Sequence, residues 1–396
     1  MLDQIVARPT DRPTARANAE AAEQDTRRKA LRALPAPEPA AGIAAYYRER
    51  DLALAASPAK RANYERYLAA QRREAAPDYL PIKLDIENVS RCNFRCTMCS
   101  VGSWHKGKRA DDMPLSAFER LIDEQVGLVE IKLQGLGEPT LQRDPYFDMI
   151  RYARTRHIWV RTTTNASLLH LKDNYRRLVD ANPNEIQISI DGATKAVFEG
   201  IRRGSVFERV IENCRRLNAY CRERGVVRTK MWTVVQRANV HQLADLVKLA
   251  SQLGFKHQVF SLELVDWGLA EWRAANDSVS VEDELDPGAL LALVGLGMEL
   301  GVQVRFWNTT EKYATRSPET LCPWPFERAF VSSDLRVVPC CTIGNPDVCQ
   351  IGSALDGDDP GAFTRHWHGD EFVAFRQAHL DGRIPEVCKA CYADPD

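Results

Sequence analysis

Three cysteines in the short segment CNFRCTMC are the side chains whose types and spacing most directly indicate chemistry. Cys92, Cys96 and Cys99 are separated by three and then two residues and follow a predicted strand. Three thiolates on one loop can hold three corners of an iron–sulfur cube and leave the fourth iron without a protein ligand. An open coordination position is typical of a chemically active metal site. The alternative is a zinc site, for which the nearest histidine in the sequence is His105.

A second group of cysteines lies close to the carboxyl end of the chain. It consists of Cys322, the adjacent pair Cys340 and Cys341, and the C-x2-C motif formed by Cys388 and Cys391. Thiols from separated segments that converge on a terminal C-x2-C suit a four-thiolate metal site. A structural zinc ion is the alternative occupant of such a site.

The first cysteine motif resembles that of the radical S-adenosylmethionine (SAM) superfamily. The resemblance implies that the amino and carboxylate groups of SAM chelate the open iron of a [4Fe–4S] cluster. An electron from the reduced cluster then cleaves the sulfonium and gives a 5′-deoxyadenosyl radical, which abstracts hydrogen. Met98 occupies the family's hydrophobic position in the last spacer, which lies against adenine.

The same resemblance extends over roughly residues 82–265 and implies cofactor-binding roles at strand ends. The segment GLGEP resembles the family's GGE(P) motif, in which Gly135 and Gly137 let the backbone approach the ligand and Glu138 accepts hydrogen bonds from the methionyl ammonium. The other matching positions are Thr163 and Asn165 in a TTN element, Ser189 and Asp191 in an SxDG element, and Arg202, with Arg203 as its alternative, as partner of the methionyl carboxylate.

The carboxyl-terminal segment resembles the SPASM/twitch extension of radical SAM enzymes, in which a β-hairpin and a short helix carry an auxiliary [4Fe–4S] cluster. The implied ligands are Cys322, Cys340, Cys388 and Cys391, and SDLR is the expected hairpin turn. A full SPASM module carries further cysteines for a second auxiliary cluster. Since the sequence stops at Asp396, one auxiliary cluster is expected.

The remaining cysteines have simpler interpretations. Cys341 and Cys349 are left over once four ligands are assigned, and each is either a spare buried thiol or a hydrogen-atom donor to a substrate radical. Cys214 and Cys221 are seven residues apart on one predicted helix, hence on one face, and burial explains both.

A repeating strand–helix rhythm must position these residues. Polar and apolar residues alternate along the candidate strands, as in Leu84 and Ile86 against Asp85 and Glu87. A parallel sheet covered by helices on both faces would be continuously hydrophobic, so one polar face favours a barrel with a ligand in its lumen. The fold predicted is α/β, a partial (β/α)6 TIM-like barrel with a small C-terminal α+β auxiliary-cluster domain. The candidate strands are 83–89, 129–137, 159–166, 185–192, 229–236 and 257–263.

Four regions are predicted along the chain. Residues 1–40 contain no aromatic residue and are rich in Ala, Arg and Pro, which predicts a disordered tail. A helical extension over 41–80, a radical SAM partial barrel over 81–310 and a SPASM/twitch-like domain over 311–396 are expected to follow.

Composition excludes several classes of protein. Among 396 residues, 53 Lys and Arg nearly cancel 54 Asp and Glu, which argues against a strongly electrostatic nucleic-acid or membrane-surface binder. No apolar run approaches the roughly 18 residues of a membrane span. No signal or transit peptide is predicted, and eleven cysteines are too few for a disulfide scaffold, so a reducing cytoplasm is expected.

The function predicted is hydrogen abstraction from an unactivated C–H, with oxidation of a small polar metabolite such as an aminocyclitol or sugar preferred. Glu263 and Asp266, which follow the sixth strand, are the candidate catalytic acid–base residues, and Glu87 and Lys132 are further lumen candidates. An electron donor such as flavodoxin or ferredoxin is expected. The alternatives are an epimerase or maturase of a ribosomal peptide and, outside enzymes, an iron–sulfur electron-transfer or sensor protein.

Overall fold

The computed structural model describes residues 15–104, 107–355 and 361–393. The strands of these residues, β1 to β12, are Lys83–Ile86, Arg95–Cys96, Glu130–Leu133, Trp159–Thr164, Glu185–Ser189, Arg202–Arg203, Thr229–Val234, His257–Ser261, Gln303–Trp307, Arg328–Val331, Arg336–Val338 and Gly352–Ser353. Their α-helices, α1 to α14, are Ala15–Arg32, Ile43–Ala56, Pro58–Ala70, Leu115–Glu124, Asp144–Arg154, Asn174–Asp180, Lys195–Ile201, Phe207–Glu223, Leu243–Gln252, Ala270–Asp277, Pro287–Glu299, Trp324–Glu327, Ala362–Trp367 and Asp370–Leu380.

Ten strands form one sheet in the order β12-β11-β10-β1-β3-β4-β5-β7-β8-β9. All neighbours from β10 to β9 are parallel, and β11 and β12 continue the sheet antiparallel as a hairpin extension. The sheet is open, with β9 and β12 at its edges, which is the architecture of a partial barrel. All six predicted strands form, and each ends before its predicted end because the chain turns there to build the site.

The two faces of the sheet differ as the alternation predicts. On the outer face, side chains such as Leu84, Ile131 and Ile188 are fully buried against the helices. Burying one such side chain stabilises a protein by about 1.5–3 kcal/mol. The inner face carries polar and charged residues, including Asp85 and Gln187. The predicted polar lumen is therefore confirmed.

The prediction of a disordered tail is wrong for residues 15–40, which the structure describes; residues 1–14 lie outside the described residues. Helix α1 runs through this region, and Leu31, Leu34 and Ala40 are buried. The segment has too little apolar surface for a core of its own, but it docks on a core that already exists. Arg27, for example, pairs with Asp283 at 3.0 Å.

The segment that follows α1 covers the amino end of the lumen. The backbone N–H of Ala40 donates to Glu185 Oε2 at 3.1 Å, and His257 Nε2 lies 2.9 Å from the Ala40 carbonyl oxygen. The Lys230 ammonium donates to the carbonyl of Glu38. Helices α2 and α3 follow in the predicted helical extension. The opposite, carboxyl end of the strands is the end at which the cysteines lie.

The sequence pattern did not predict β9, nor did it predict that β10, the first strand of the expected hairpin, joins the barrel sheet. Strand β9 adds a seventh parallel strand beyond β8, and β10 pairs in parallel with β1. The expected separate C-terminal module therefore shares the sheet with the barrel. The apolar stretch before β9 forms α11, and among the described helices none is both long and apolar enough to span a membrane.

Candidate iron–sulfur and cofactor site

The three cysteines of the first motif lie on a loop at the carboxyl end of β1. Burial raises the pKa of Cys92 and of Cys99 to about 12, and the neighbouring Cys96 thiol contributes to both shifts. The thiols therefore lie within one another's electrostatic field, in surroundings that disfavour thiolates. Bound cationic iron would offset the cost of ionising them, so this donor set fits a thiolate-bound cluster. His105, the zinc alternative, lies outside the described residues.

Arg202 is held against the cysteine loop by both backbone and side chain. Strand β6 pairs antiparallel with β2, so that Arg202 lies opposite Cys96, and Arg202 Nη1 is 3.9 Å from Cys96 Sγ. Its Nη2 is 2.7 Å from Asp191 Oδ2, whereas Arg203 is exposed. The predicted partner of a methionyl carboxylate is thus already ion-paired. Its buried Nε has no hydrogen-bond partner among the described residues, and this leaves one donor for a ligand.

The glycines of the GLGEP segment pack against the protein itself, and the expected approach of their backbone to a ligand stays a prediction. A Cβ on Gly137 would lie 2.5 Å from the carbonyl oxygens of Val89 and Arg91. A Cβ on Gly135 would lie 2.1 Å from Glu87 Cγ. Glycine is required at both positions because the GLGEP loop packs directly on the cysteine loop and on the end of β1.

Glu138 is a buried anchor between the GLGEP loop and β4. Its Oε1 accepts from the hydroxyls of Thr140 and Thr164, each at 2.6 Å, and its Oε2 accepts from the N–H of Asn165 at 2.7 Å. Burial raises its pKa, and these donors oppose the shift. Oε2 can accept one more hydrogen bond, so the expected contact with a methionyl ammonium remains a prediction.

Asn165 is brought directly to the cysteine loop. Its Nδ2 donates to Asn93 Oδ1 at 3.1 Å and lies 4.0 Å from Cys92 Sγ. Thr163 instead faces the lumen, where its hydroxyl donates to Gln187 Oε1 at 3.0 Å. The two remaining predicted cofactor contacts, Met98 and Ser189, are both partly buried.

Cys322, Cys388 and Cys391 converge on a small apolar cluster with Leu321, Phe326 and Tyr392. The N–H of Cys322 donates to the Tyr392 hydroxyl at 2.9 Å. Burial, with the neighbouring Cys322 and Cys391 thiols, raises the pKa of Cys388. Three of the four predicted auxiliary ligands are therefore brought together.

Cys340, the fourth predicted auxiliary ligand, borders this group through Tyr313. Burial raises the pKa of Tyr313, and Cys322, Cys391 and Cys340 all add to the shift. Cys340 Sγ also accepts from the N–H of Thr342 at 3.2 Å. In the part of the chain that the structure describes, no three Cys, His, Asp or Glu side chains form a site for a single metal ion.

The candidate catalytic pair is occupied by structural contacts. Glu263 accepts from the Thr309 N–H at 2.7 Å, from the Thr309 hydroxyl at 2.5 Å and from the Thr310 N–H at 3.0 Å. Asp266 accepts from the Gly268 N–H and pairs with Arg273. Both carboxylates fix the segment between β8 and the auxiliary cysteines. The sequence showed strand-end acids but not the N–H donors that follow them.

Sequence analysis missed one ion pair next to the site. Arg109 Nη2 lies 2.7 Å from Glu87 Oε2, and the same carboxylate accepts from the N–H groups of Leu136 and Ser333, each at 3.1 Å. Glu87 therefore ties β1, the cysteine loop, the GLGEP loop and the β10–β11 turn together. No spacing in the sequence links Arg109 to Glu87.

Comparison with known proteins agrees with this arrangement. Residues 88–256 match the radical SAM superfamily, and residues 322–392 match the SPASM iron–sulfur cluster-binding domain. The mycofactocin maturase MftC of Mycobacterium ulcerans is 31% identical over 48% of this chain and 50% of that protein, so the chain spans about half the length of that relative. The PqqA peptide cyclase of Bradyrhizobium diazoefficiens is 22% identical over 82% of each chain.

A solved structure shares the fold. Streptococcus suis SuiB, crystallised with precursor peptide SuiA, superposes with a TM-score of 0.57 at 13% identity over 79% of this chain and 70% of that one. The two matched domains imply SAM and [4Fe–4S] clusters at two sites, and both groups of thiols fit such clusters. The chain therefore carries a radical SAM superfamily domain followed by a SPASM iron–sulfur cluster-binding domain.

Proposed function

We propose that this chain modifies a ribosomally made peptide by hydrogen abstraction from a C–H bond of that peptide. The observation that carries the proposal is the similarity to the PqqA peptide cyclase, which extends through the barrel and into the C-terminal domain. The mycofactocin maturase supports it over about half of this chain. These relatives favour the peptide alternative over the oxidation of an aminocyclitol or sugar that the sequence pattern led us to prefer.

The chain's own residues would bind and orient the reactants. Cys92, Cys96 and Cys99 would hold the first cluster, and Cys322, Cys388 and Cys391, with Cys340, the auxiliary one. When bound, SAM and its cluster supply the 5′-deoxyadenosyl radical. Glu138 and the free Nε of Arg202 would orient SAM. Glu263 and Asp266 would position the segment between the barrel and the auxiliary site.

Product analysis tests the proposal. Anaerobically reconstituted protein would be incubated with SAM, dithionite and short peptides encoded beside its gene, and 5′-deoxyadenosine and peptide mass would be measured. We expect 5′-deoxyadenosine in proportion to a peptide mass change, and loss of both in Cys96→Ala. Stimulation of 5′-deoxyadenosine by an aminocyclitol or sugar, with peptides left unmodified, would contradict it.

A further inference from the structure

The cations on the inner face of the sheet are nearly all neutralised by acids. Around the lumen the ion pairs are Lys83–Glu327, Arg161–Glu130, Lys230–Glu185, Arg328–Asp85 and Arg109–Glu87, at 2.7 to 3.5 Å. Such pairing is expected, because an unpaired charge in a protein interior is costly. In each pair a carboxylate already offsets the positive charge, which weakens the attraction of that cation for a charged ligand.

On the inner face of β1 to β8, Lys132 is the cation that has no acidic partner among the described residues. It lies on β3 between Asp85 of β1 and Arg161 of β4, so its side chain belongs to the inner face. Asp85 is committed to Arg328 at 3.5 Å and Arg161 to Glu130 at 2.7 Å. Within the described ranges, no hydrogen bond or ion pair joins the Lys132 ammonium to another side chain. The charge is therefore available to a ligand.

The inner face of the sheet keeps accessible surface at the level of Lys132. Lys132 and Trp232 of β7 are only partly buried, and the side chain of Arg161 keeps 27% of its surface accessible. On the outer face of the same strands, Ile131 and Met231 are fully buried. The accessible surface at this level therefore lies on the polar inner face of the sheet, where an indole offers an apolar wall to a ligand.

Lys132 is near parts of both groups of cysteines. Strand β3 leads into the GLGEP loop, which packs on the cysteine loop. On the other side, the Lys132 charge acts on the Cys341 thiol, which adjoins the auxiliary ligand Cys340. A substrate located between the two metal sites would therefore pass within reach of this ammonium.

We propose that Lys132 binds a carboxylate of the substrate and so selects a peptide with an acidic group next to the reacting residue. The proposal rests on the proposed function for its peptide, but the carboxylate chemistry follows from the lumen alone. The carboxylate belongs to an Asp or Glu side chain or to the peptide's C-terminus. A lysine ammonium paired with a carboxylate in a partly dry lumen forms a charge-assisted hydrogen bond.

Kinetics with charge-matched variants test the assignment. Lys132→Met should raise KM for the peptide about tenfold or more, with a smaller change in kcat, and Lys132→Arg should restore most of the affinity. Lys256→Met, an exposed lysine beyond the lumen, is the matched control. Two changes in the peptide identify which carboxylate Lys132 binds: replacing its Asp or Glu by the amide, and amidating its C-terminus. The change that removes the bound carboxylate should raise KM for the wild-type enzyme but should not raise KM further for Lys132→Met.

A second readout does not depend on turnover. In the holoenzyme, glutarate should protect Lys132 from acetylation and glutaramide should not, while Lys256 responds to neither. If glutarate does not protect Lys132, the carboxylate site is overturned. If glutarate protects Lys132 but no peptide is a substrate, the carboxylate site stands and only the proposed function is refuted. Loss of SAM affinity in Lys132→Met, measured by calorimetry, would assign the carboxylate to the cofactor and also overturn the proposal.

Discussion

At the scale of single residues, carboxylates near the site act mainly as anchors. Glu138, Glu263 and Asp266 each accept hydrogen bonds from nearby backbone N–H groups or hydroxyls. Beyond the end of a strand, backbone N–H groups no longer pair with the neighbouring strand, and a carboxylate located there can accept hydrogen bonds from them. The sequence alone does not show whether such a carboxylate will bind these N–H groups or a substrate. This is why the clustering of the cysteines could be predicted, whereas a catalytic role of Glu263 and Asp266 stays a prediction.

Glu138 should be required for both stability and SAM binding. In Glu138→Gln, an amide NH2 would replace one of the two carboxylate oxygens. Those oxygens accept hydrogen bonds from Thr140, Thr164 and Asn165, so at least one of these donors would lose its acceptor. Leaving a buried donor unsatisfied costs about 1–3 kcal/mol. We expect that loss in the free energy of unfolding by urea, together with weaker SAM binding by calorimetry. Glu271→Gln, an exposed control, should change neither, and an unchanged Glu138→Gln protein would contradict the anchoring role.

Glu130 should make stability depend on acid pH. Burial opposes its ionisation, but Arg161, Lys83 and Arg328 together lower its pKa from 4.5 to about 2. Because the folded pKa is the lower one, the stability that ionised Glu130 contributes is complete above about pH 4.5 and is lost as the pH falls toward 2. The difference in unfolding free energy between wild type and Glu130→Gln should therefore shrink over this range; a constant difference would be inconsistent with the pairing.

At the scale of elements, Glu87 and Arg109 connect four segments around the site. Both side chains are at most 5% exposed. Removing Arg109 leaves the Glu87 carboxylate buried without a cation, and removing Glu87 leaves Arg109 with Asp334, at 2.8 Å, as its remaining acidic partner. Each single change, Glu87→Gln or Arg109→Met, should cost about 3–5 kcal/mol, and the double change much less than the sum. Urea unfolding of the four proteins measures this coupling. Additive losses would show that the pair does not act as a unit.

Strands with strong alternation were predictable, and elements stabilised by distant partners were not. The alternation of Leu84 and Ile86 with polar neighbours was sufficient to predict β1. In contrast, β9 depends on pairing with β8, and α1 depends on acids such as Asp283. Local pattern reports which face of a segment is apolar, but it does not report which distant surface will cover that face.

At the scale of the whole molecule, the barrel and the C-terminal domain share one sheet and are joined by buried contacts. The β10–β1 pairing continues the sheet across the predicted boundary. Arg376, fully buried in α14, donates to the carbonyls of Pro325, Ala75 and Trp367, and so joins the N-terminal helices to the C-terminal domain.

This continuity predicts a single unfolding transition for the metal-free chain. Urea melts followed by far-UV circular dichroism and by tryptophan fluorescence should coincide, since Trp367 lies in the C-terminal domain and Trp159 in the barrel. Arg376→Met should move both curves together to lower urea. Two separate transitions would show that the domains fold independently.

The most direct test of a SAM-binding open iron is electron paramagnetic resonance of the reduced protein in a Cys322→Ala/Cys388→Ala background. This background removes auxiliary ligands, and therefore isolates the cluster at Cys92, Cys96 and Cys99. Added SAM should shift the g values of a [4Fe–4S]+ signal, because a ligand joins the one iron without a cysteine. Zinc in place of iron, or a cluster spectrum that SAM leaves unchanged, would contradict the assignment.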